Sequence, residues 1–231
     1  MDDILVFSKN PEEHVRHINK ILEKLEEHKL SLKPEKCLFD KHEIDFLGLI
    51  ISPNTIRMDP AKVEAIRNWP TPKSKREVQQ FLGFVNFYRR FMQSFAKIAK
   101  LLTKLMGNLL WEWTPEQQEV FKGLQTQIAE EVTLRILDDE GQFRIETDAS
   151  EYTTGAILSQ QSQAGTWKPV AFISQSLNET EQNYEIYDKE MLAVMRVFYE
   201  WSHYLKGAKQ IIEVLTDHQN LTYFRKPQNL N

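Results

Sequence analysis

The chain has 231 residues, of which 41% are apolar and 27% are charged, a composition that excludes wholesale disorder and collagen-like or coiled-coil repeats. No apolar run approaches the roughly 20 residues that span a bilayer, and the N-terminus lacks a secretory signal. The single cysteine, Cys37, excludes an internal disulfide. We therefore expect an intracellular protein without a membrane partner, in the cytoplasm or the nucleus, with one or two domains.

The first 60 residues predict two β-rich runs and a helix. The runs are residues 3–8 (DILVFS) and residues 44–52 (IDFLGLIIS), the second of which is interrupted by a glycine. Between them, Asn10-Pro11 with Glu13 three residues after the cap is a helix-start signal, and apolar residues at helical spacing follow it.

The middle of the chain predicts helices. Asp59 and Thr114, each followed by a proline, begin two of them, and Ser74 forms a capping box with Glu77 at the start of a third. In the third helix we interpret the aromatic residues as core rather than as platforms that stack on bases. These residues are Phe81, Phe84, Phe87 and Phe91.

The C-terminal part predicts an α/β unit. Residues 142–147, 155–160 and 168–174 are three consecutive short strands, a helix covers about 181–205, and a further strand covers 210–216. Strands followed by a helix and another strand indicate a crossover connection.

Charge is distributed unevenly along the chain. The overall net charge is −4, whereas residues 60–110 carry 10 basic and 2 acidic side chains, a net charge of +8. A basic block between acidic flanks suits a protein that binds phosphates in one place and cations in another. Charge alone favours the alternative of three solvated surfaces of unequal composition.

Three carboxylates are predicted to approach one another. Asp148 and Asp217 each follow a strand, so that parallel, adjacent strands bring both to one edge of the sheet. Glu190 lies on or beside the apolar stripe of the long helix, where a buried carboxylate requires a partner or a metal. That stripe is predicted as Val194, Phe198, Trp201 and Leu205. Together the acids suggest a Mg²⁺ or Mn²⁺ site for phosphodiester hydrolysis, although turn or cap aspartates and a solvated glutamate remain the alternative.

Several stretches resemble one known family. Residues 145–160 (IETDASEYTTGAILSQ), 184–205 (YEIYDKEMLAVMRVFYEWSHYL) and 214–224 (VLTDHQNLTYF) resemble the ribonuclease H domain of Gypsy-type long-terminal-repeat retrotransposon polyproteins. The start MDDILVFS resembles the end of the reverse transcriptase active-site motif, and NWPTPKSKREVQQFLGFVNFYRRFM resembles the thumb. The resemblance covers essentially the whole chain.

The resemblance implies an α+β multidomain protein. It consists of a palm β-hairpin remnant, a helical thumb, and an RNase H-like α/β sheet truncated after its fourth strand. The implied domains are residues 1–59 (palm remnant), 60–110 (basic thumb), 111–141 (connection) and 142–231 (incomplete RNase H-like domain).

The resemblance also implies site residues. Asp2 and Asp3 match the metal-binding aspartates of the polymerase, and Asp148, Glu190 and Asp217 match three acids of the RNase H site. Mg²⁺ or Mn²⁺ is the implied cofactor, and a template–primer duplex or RNA–DNA hybrid is the implied partner. The implied nucleic-acid-binding residues are Phe46, Leu47, Gly48, Lys75, Arg76, Gln79, Gly83, Asn86, Arg89 and Arg90.

The family's activities are RNA-directed DNA synthesis and hydrolysis of RNA in RNA–DNA hybrids. Family members carry further segments before the paired aspartates and after Asp217, so we expect that this chain alone does not polymerise and that it cleaves weakly or not at all. The missing polyprotein segments are further expected partners. Two alternatives stay open at this point: a non-catalytic nucleic-acid-binding remnant of a degraded or domesticated element, and a fragment without function.

Overall fold

Two compact units make up the chain, Met1–Pro53 and Asn54–Asn231. The structure is a computed structural model that describes residues 3–107, 110–130 and 132–216. No helix within these ranges is long and apolar enough to cross a membrane. Helices and strands are mixed along the chain, which confirms the predicted α+β class.

The first unit contains one long helix and a β-hairpin. Helix α1 (Pro11–Glu27) begins where it was predicted, because the Asn10 side chain accepts a hydrogen bond of 2.8 Å from the backbone N–H of Glu13. Strands β1 (Ile44–Phe46) and β2 (Leu49–Ser52) pair antiparallel. The apolar run that the sequence shows here is therefore two strands rather than one.

The strand predicted over residues 3–8 is wrong. Within the described part of the chain these residues form no strand. An extended segment becomes a strand only when a neighbouring strand takes up its backbone donors and acceptors. The apolar, β-branched composition of DILVFS does not reveal whether such a neighbour is present.

Four helices follow in the second unit. They are α2 (Pro60–Arg67), α3 (Lys75–Phe87), α4 (Phe95–Leu105) and α5 (Pro115–Ala129), and a 3-10 turn at Arg89–Phe91 separates α3 from α4. This result confirms the predicted helical middle of the chain.

Side-chain caps explain where these helices begin. The Asp59 carboxylate accepts from the backbone N–H of Ala61 at 2.8 Å, and the Ser74 hydroxyl accepts from that of Glu77 at 3.3 Å. Apolar residues at helical spacing then form a shared core. Its buried members include Val63, Ile66, Val78, Phe81, Leu82, Val85, Phe121, Leu124 and Ile128.

A short antiparallel pair was not predicted. Strand β3 (Thr55–Met58) pairs with β4 (Leu134–Arg135), and Ile56 lies opposite Leu134. The two strands are short and nearly 80 residues apart in the sequence, so neither has the long alternating pattern that reveals a strand.

The C-terminal sheet has four described strands. They are β5 (Phe143–Ala149), β6 (Thr153–Gln161), β7 (Trp167–Ser176) and β8 (Glu213–Thr216), in the order β7-β6-β5-β8. Strands β5, β6 and β7 are antiparallel neighbours, whereas β8 runs parallel to β5. This is the α/β unit with a crossover that the sequence predicts.

The crossover segment is broken rather than one continuous helix. It contains α6 (Glu179–Gln182), α7 (Ile186–Glu200) and α8 (Ser202–Leu205). The prediction of one helix over 181–205 fails at its start because the capping box of Asn178 begins a separate helical turn that ends before α7.

Helices cover both faces of this sheet. On one face α7 packs against β5 and β6, and on the other α4 and the 3-10 turn pack against β7. The core on the α7 side is formed by Phe143, Ile145, Ala156, Leu158, Val170, Ala171, Val197, Trp201 and Leu205. The basic helical segment (residues 60–110) therefore packs against the sheet within the second unit.

Candidate functional site

Two parallel strands end side by side at one edge of the sheet. Strand β5 pairs with β8 so that Thr147 lies opposite Thr216. Asp148 follows Thr147 directly, at the carboxyl end of β5. Asp217 follows Thr216 in the sequence and lies outside the described residues. The parallel, adjacent strands that the sequence analysis requires for this site are present.

Glu190 connects the ends of these two strands. Its side chain is 2% exposed. Its Oε1 accepts a hydrogen bond from the backbone N–H of Ala149 at 3.1 Å, and its Oε2 accepts one from Oγ1 of Thr216 at 3.3 Å. Because one donor belongs to β5 and the other to β8, the helix carboxylate is fixed at the strand edge where Asp148 lies.

The buried stripe of α7 differs from the predicted one. Its buried residues include Glu190, Ala193 and Val197, while Val194 is half-buried and Phe198 is 40% exposed. A shift of one position rotates the stripe by about 100° around the helix. Glu190 therefore lies within the buried stripe and not beside it. Because a glutamate is almost never fully buried unless it is paired, its position is more unusual than the sequence indicates.

Asp148 is exposed in an open cleft of about 310 Å³ on the opposite face of the sheet from α7. Alternation along β5 puts Glu146 on the same face, and Gly155 of β6 lies opposite Asp148. Gln93 and Ser94, which precede α4, form another wall of this cleft. The cleft thus brings a carboxylate at a strand end together with residues of the basic helical segment.

The donor set of this edge suits a hard cation. Carboxylate oxygens are the ligands that Mg²⁺ and Mn²⁺ prefer. Asp148 and Glu190 both lie at the carboxyl end of β5, but Glu190 is buried on the α7 side and does not line the cleft that contains Asp148. Among the described residues there is no group of three His, Cys, Asp or Glu side chains that could hold a metal ion. The predicted third acid, Asp217, lies outside this part of the chain.

The predicted nucleic-acid-binding residues of α3 share one exposed face. They are Arg76, Gln79, Gly83 and Asn86, opposite the buried stripe of the same helix. A Cβ added at Gly83 meets no atom within 4 Å, so packing inside the chain does not require a glycine there. An unfilled notch in a polar helix face is suited to the close approach of another molecule.

Phe87 corrects the prediction that all four phenylalanines are core. Phe81 and Phe91 are fully buried, whereas Phe87 is 53% exposed and lies on the same face as Gln79 and Gly83. Its ring contacts Tyr88, with centroids 4.9 Å apart. The sequence contains no signal for this exposure, because the helix has apolar residues on more than one side.

Three further predicted contacts are basic. Arg89 and Arg90 are exposed in the 3-10 turn that follows α3. Lys75 instead donates a hydrogen bond of 2.7 Å to the backbone carbonyl of Gly107, beyond the end of α4. The two arginines therefore extend the exposed polar surface of α3, and the Lys75 ammonium is directed to the protein backbone.

Helix α4 contacts the turn between β5 and β6 through a cation–π interaction. The Lys100 ammonium lies 2.8 Å from the centroid of the Tyr152 ring. Desolvation and the nearby Lys104 lower the pKa of Lys100, against the opposing effect of Glu151. A hydrogen bond with Glu151 raises the pKa of Tyr152. This contact secures α4, whose N-terminal end borders the cleft.

The remaining predicted residues lie in the first unit. Phe46 ends β1, and Leu47 and Gly48 form the turn to β2 with φ values of 53° and 76°. Asp3 is exposed, and Asp2 lies outside the described residues. The two aspartates stay a prediction from the sequence.

Two family models match the chain. Residues 138–231 match a family described as an RNase H-like domain found in reverse transcriptase. Residues 1–51 match the family described as reverse transcriptase (RNA-dependent DNA polymerase). Proteins of these families generally use divalent metal ions.

Curated relatives are transposon polyproteins. The Tf2-3 polyprotein of Schizosaccharomyces pombe is 34% identical over 96% of this chain, and the Tf2-7 polyprotein of the same organism is 33% identical over the same share. The chain spans 17% of the length of these relatives. These matches confirm the predicted resemblance and do not favour the alternative of a non-catalytic remnant.

Solved structures share the fold. The foamy viral protease-reverse transcriptase in complex with an RNA/DNA hybrid has a TM-score of 0.75 and 23% identity, over 94% of this chain and 30% of that one. The same viral protein in complex with dsDNA has a TM-score of 0.70 and 24% identity, over 96% of this chain and 47% of that one.

Proposed function

We propose that this chain is the reverse transcriptase and RNase H-like part of a Gypsy-type retrotransposon polyprotein, and that its C-terminal sheet hydrolyses the RNA strand of an RNA–DNA hybrid. The reaction takes place at the carboxyl edge of β5 and β8. Asp148, Glu190 and Asp217 are its catalytic residues. The basic helical segment binds the hybrid and presents it to this edge.

The single observation that carries this proposal is the position of Glu190. A carboxylate that is 2% exposed is costly to bury unless donors or a cation compensate it. Its two oxygens accept hydrogen bonds from the ends of both β5 and β8, next to Asp148. A preorganised acid of this kind suits a catalytic edge better than a structural one, since an apolar residue fills a helix–sheet interface at lower cost.

The proposed cofactor is Mg²⁺ or Mn²⁺, held by Asp148, Glu190 and Asp217. Such ions, when bound, supply a nucleophile at neutral pH and neutralise charge on the leaving oxygen. Asp148 is exposed in the cleft and accessible to a ligand. Glu190 is held in one orientation by its two donors and so needs little reorganisation on binding.

The proposed nucleic-acid surface runs along α3. Its residues are Arg76, Gln79, Gly83, Asn86 and, from the structure, Phe87, with Arg89 and Arg90 beyond the helix. Arginines supply attraction to phosphates that does not depend on sequence. The glycine and the exposed ring allow close contact with a sugar or base surface.

The proposed domains are residues 1–59 (palm), 60–110 (thumb), 111–141 (connection) and 142–231 (RNase H-like). RNA-directed DNA synthesis, with Asp2 and Asp3 as metal ligands and the β1–β2 hairpin (Phe46, Leu47, Gly48) on the primer, is proposed for the longer polyprotein, of which this chain spans only a part. The nuclease is the activity proposed for the chain itself.

A cleavage assay tests the nuclease. The full chain is incubated with a hybrid whose RNA strand is labelled, in Mg²⁺, Mn²⁺ or EDTA. We expect metal-dependent cleavage that Asp148→Asn abolishes, because the exposed carboxylate is lost without disturbing the core. Asp188→Asn removes an exposed carboxylate from the first turn of α7 and retains cleavage. Cleavage that is independent of metal, or equal in Asp148→Asn and the unmodified chain, contradicts the proposal.

A pair of glycine substitutions tests the α3 surface. A Cβ at Gly83 in α3 or at Gly123 in α5 meets no atom within 4 Å, so alanine at either position stabilises its helix by about 0.5–1 kcal/mol. We expect Gly83→Ala to weaken hybrid binding, since it fills the notch, and Gly123→Ala to leave binding unchanged. Equal affinities of the two variants rule out a contact at Gly83.

A further inference from the structure

The cleft that contains Asp148 has two walls of different origin. Asp148 and Glu146 come from β5, whereas Gln93 and Ser94 come from the loop between the 3-10 turn and α4. The sequence contains no motif in this loop that indicates a function. Its polar side chains stand at the point where the proposed binding surface meets the proposed nuclease edge.

The hydroxyl of Ser94 is not used to cap α4. Ser94 occupies the N-cap position, but its φ is 55° and its side chain makes no capping hydrogen bond. The backbone N–H of Ala96 instead donates to Oγ of Ser174 in β7 at 3.0 Å. A serine in the left-handed region is uncommon and strained. Ser94 lines the cleft, and Ser174 caps the first turn of α4 in its place.

Two contacts hold this loop against its surroundings. Nε2 of Gln127 in α5 donates to the backbone carbonyl of Gln93 at 3.0 Å, and the bond from Ala96 to Ser174 follows three residues later. The backbone is thereby fixed at Gln93 and Ala96, and the exposed residue Gln93 lines the cleft together with Ser94. Fixed polar groups can discriminate between ligands because little ordering is needed on binding.

The chemistry of the cleft indicates what these groups bind. No lysine or arginine lines it in the described ranges, and its charged lining residues there are the acids Glu146 and Asp148. These negative charges disfavour the binding of a phosphate in the cleft. Arg89 and Arg90, which are close by in the sequence, are better suited to bind one. A glutamine amide and a serine hydroxyl each both donate and accept hydrogen bonds. A ribose 2′-hydroxyl also donates and accepts, and its presence is what distinguishes RNA from DNA.

We propose that Gln93 and Ser94 are specificity-determining residues that hydrogen-bond a ribose 2′-hydroxyl of the RNA strand in the Asp148 cleft. This inference rests on the proposed nuclease function, since it assumes that a hybrid occupies the cleft. The basic helical segment then helps to distinguish the RNA strand from the DNA strand, in addition to binding phosphates. The effect is local, at one or two nucleotides of the RNA strand.

The test uses hybrids that lack one 2′-hydroxyl at a time. The full chain in EDTA, which prevents cleavage, is titrated with hybrids whose RNA strand carries a single deoxynucleotide at successive positions. We expect the affinity of the unmodified chain to fall two- to ten-fold at one or two positions, the size of a lost hydrogen bond. The double variant Gln93→Ala/Ser94→Ala binds the all-RNA strand more weakly and is insensitive at those positions. Alanine at position 94 retains the Cβ and the same backbone constraint.

Gln163→Ala is the matched control, because Gln163 is an exposed glutamine in the β6–β7 turn and does not line the cleft. It retains the positional sensitivity of the unmodified chain. Gln93→Glu, which keeps the side-chain length but loses the amide donor, reproduces the loss if the fold of the double variant is disturbed. Unchanged positional sensitivity in the variants overturns the inference and leaves the nuclease standing. Failure of the unmodified chain to bind any hybrid overturns both.

Discussion

Oγ1 of Thr216 lies 3.3 Å from Oε2 of Glu190 and donates a hydrogen bond to it. The contact joins the last described residue of β8 to a carboxylate at the N-terminal end of the buried stripe of α7. It therefore aligns the crossover helix with the strand that follows it. The position of an acid at the proposed catalytic edge depends on a neutral hydroxyl two elements away.

The first prediction concerns this hydroxyl. Thr216→Val preserves the shape of the side chain but removes one donor from a buried carboxylate, which costs about 1–3 kcal/mol in the free energy of unfolding. Thr216→Ser retains the donor and most of the stability. Urea unfolding followed by tryptophan fluorescence measures both. Equal losses for valine and serine indicate that packing of the methyl group, and not the hydrogen bond, is important.

The second prediction concerns the β1–β2 turn. Leu47 is 61% exposed and has φ of 53°, in a two-residue turn that favours Asn-Gly. We expect Leu47→Asn to stabilise the hairpin by about 0.5–1 kcal/mol, because asparagine tolerates this conformation and no packing is lost. Leu49→Asn, at a position 7% exposed, has the opposite effect. Hydrogen exchange of the β1 and β2 amides is the measurement, and slower exchange in Leu49→Asn contradicts this account.

The third prediction concerns Gly141, before β5. A Cβ there lies 2.6 Å from the backbone carbonyl oxygen of Gln161 and 2.8 Å from Cγ of Gln160, a fully buried side chain. Gly141→Ala therefore lowers the free energy of unfolding by about 1–3 kcal/mol. Gly123→Ala, which has open space, raises it. A rise in the urea midpoint of Gly141→Ala is the contrary result.

The fourth prediction concerns acid stability. Partial burial raises the pKa of Asp138, but hydrogen bonds from the backbone N–H groups of Gly141 and Glu140, together with Arg135, outweigh it and lower the pKa below 3.8. A lowered pKa in the folded state stabilises the protein above the ordinary pKa, and this contribution is lost as the pH falls through the folded value. The free energy of unfolding of the unmodified chain therefore exceeds that of Asp138→Asn by a constant amount near neutral pH. This difference shrinks once the pH falls below 3.8.

Unfolding at a series of pH values measures this difference. Glu119→Gln, at an exposed position of α5, provides the reference for neutralising a surface carboxylate. An advantage of the unmodified chain that grows as the pH falls means that burial, and not hydrogen bonding, sets the pKa of Asp138.

Local signals in the sequence were sufficient for most helix starts. Asn10, Asp59 and Ser74 accept hydrogen bonds from the backbone one turn ahead, as their residue types predict. The order of strands, helix and strand also predicted a crossover connection, which requires the last strand to lie parallel to an earlier one. The structure identifies that earlier strand as β5. These features depend on neighbours in sequence or on topology.

Features that depend on distant partners were not predictable. Phe87 is exposed and Phe81 buried, although both occur in the same aromatic-rich helix, because the second face of α3 has no neighbour in the described chain. Glu190 lies in the buried stripe because donors from two strands compensate it. Nothing around Gln93 and Ser94 marks them in the sequence, since the cleft forms only when the loop meets β5.

The hydrogen bond from Ala96 to Ser174 has a consequence for how the second unit folds. The first turn of α4 receives its cap from a strand 78 residues further along the chain. The start of α4 therefore has this hydrogen bond only when β7 is in place, so the stability of the helix start depends on the sheet. Cutting the chain between the helices and the sheet therefore removes a cap from one fragment and leaves an unpaired hydroxyl in the other. We therefore expect each fragment to be less stable than the same segment is in the intact chain.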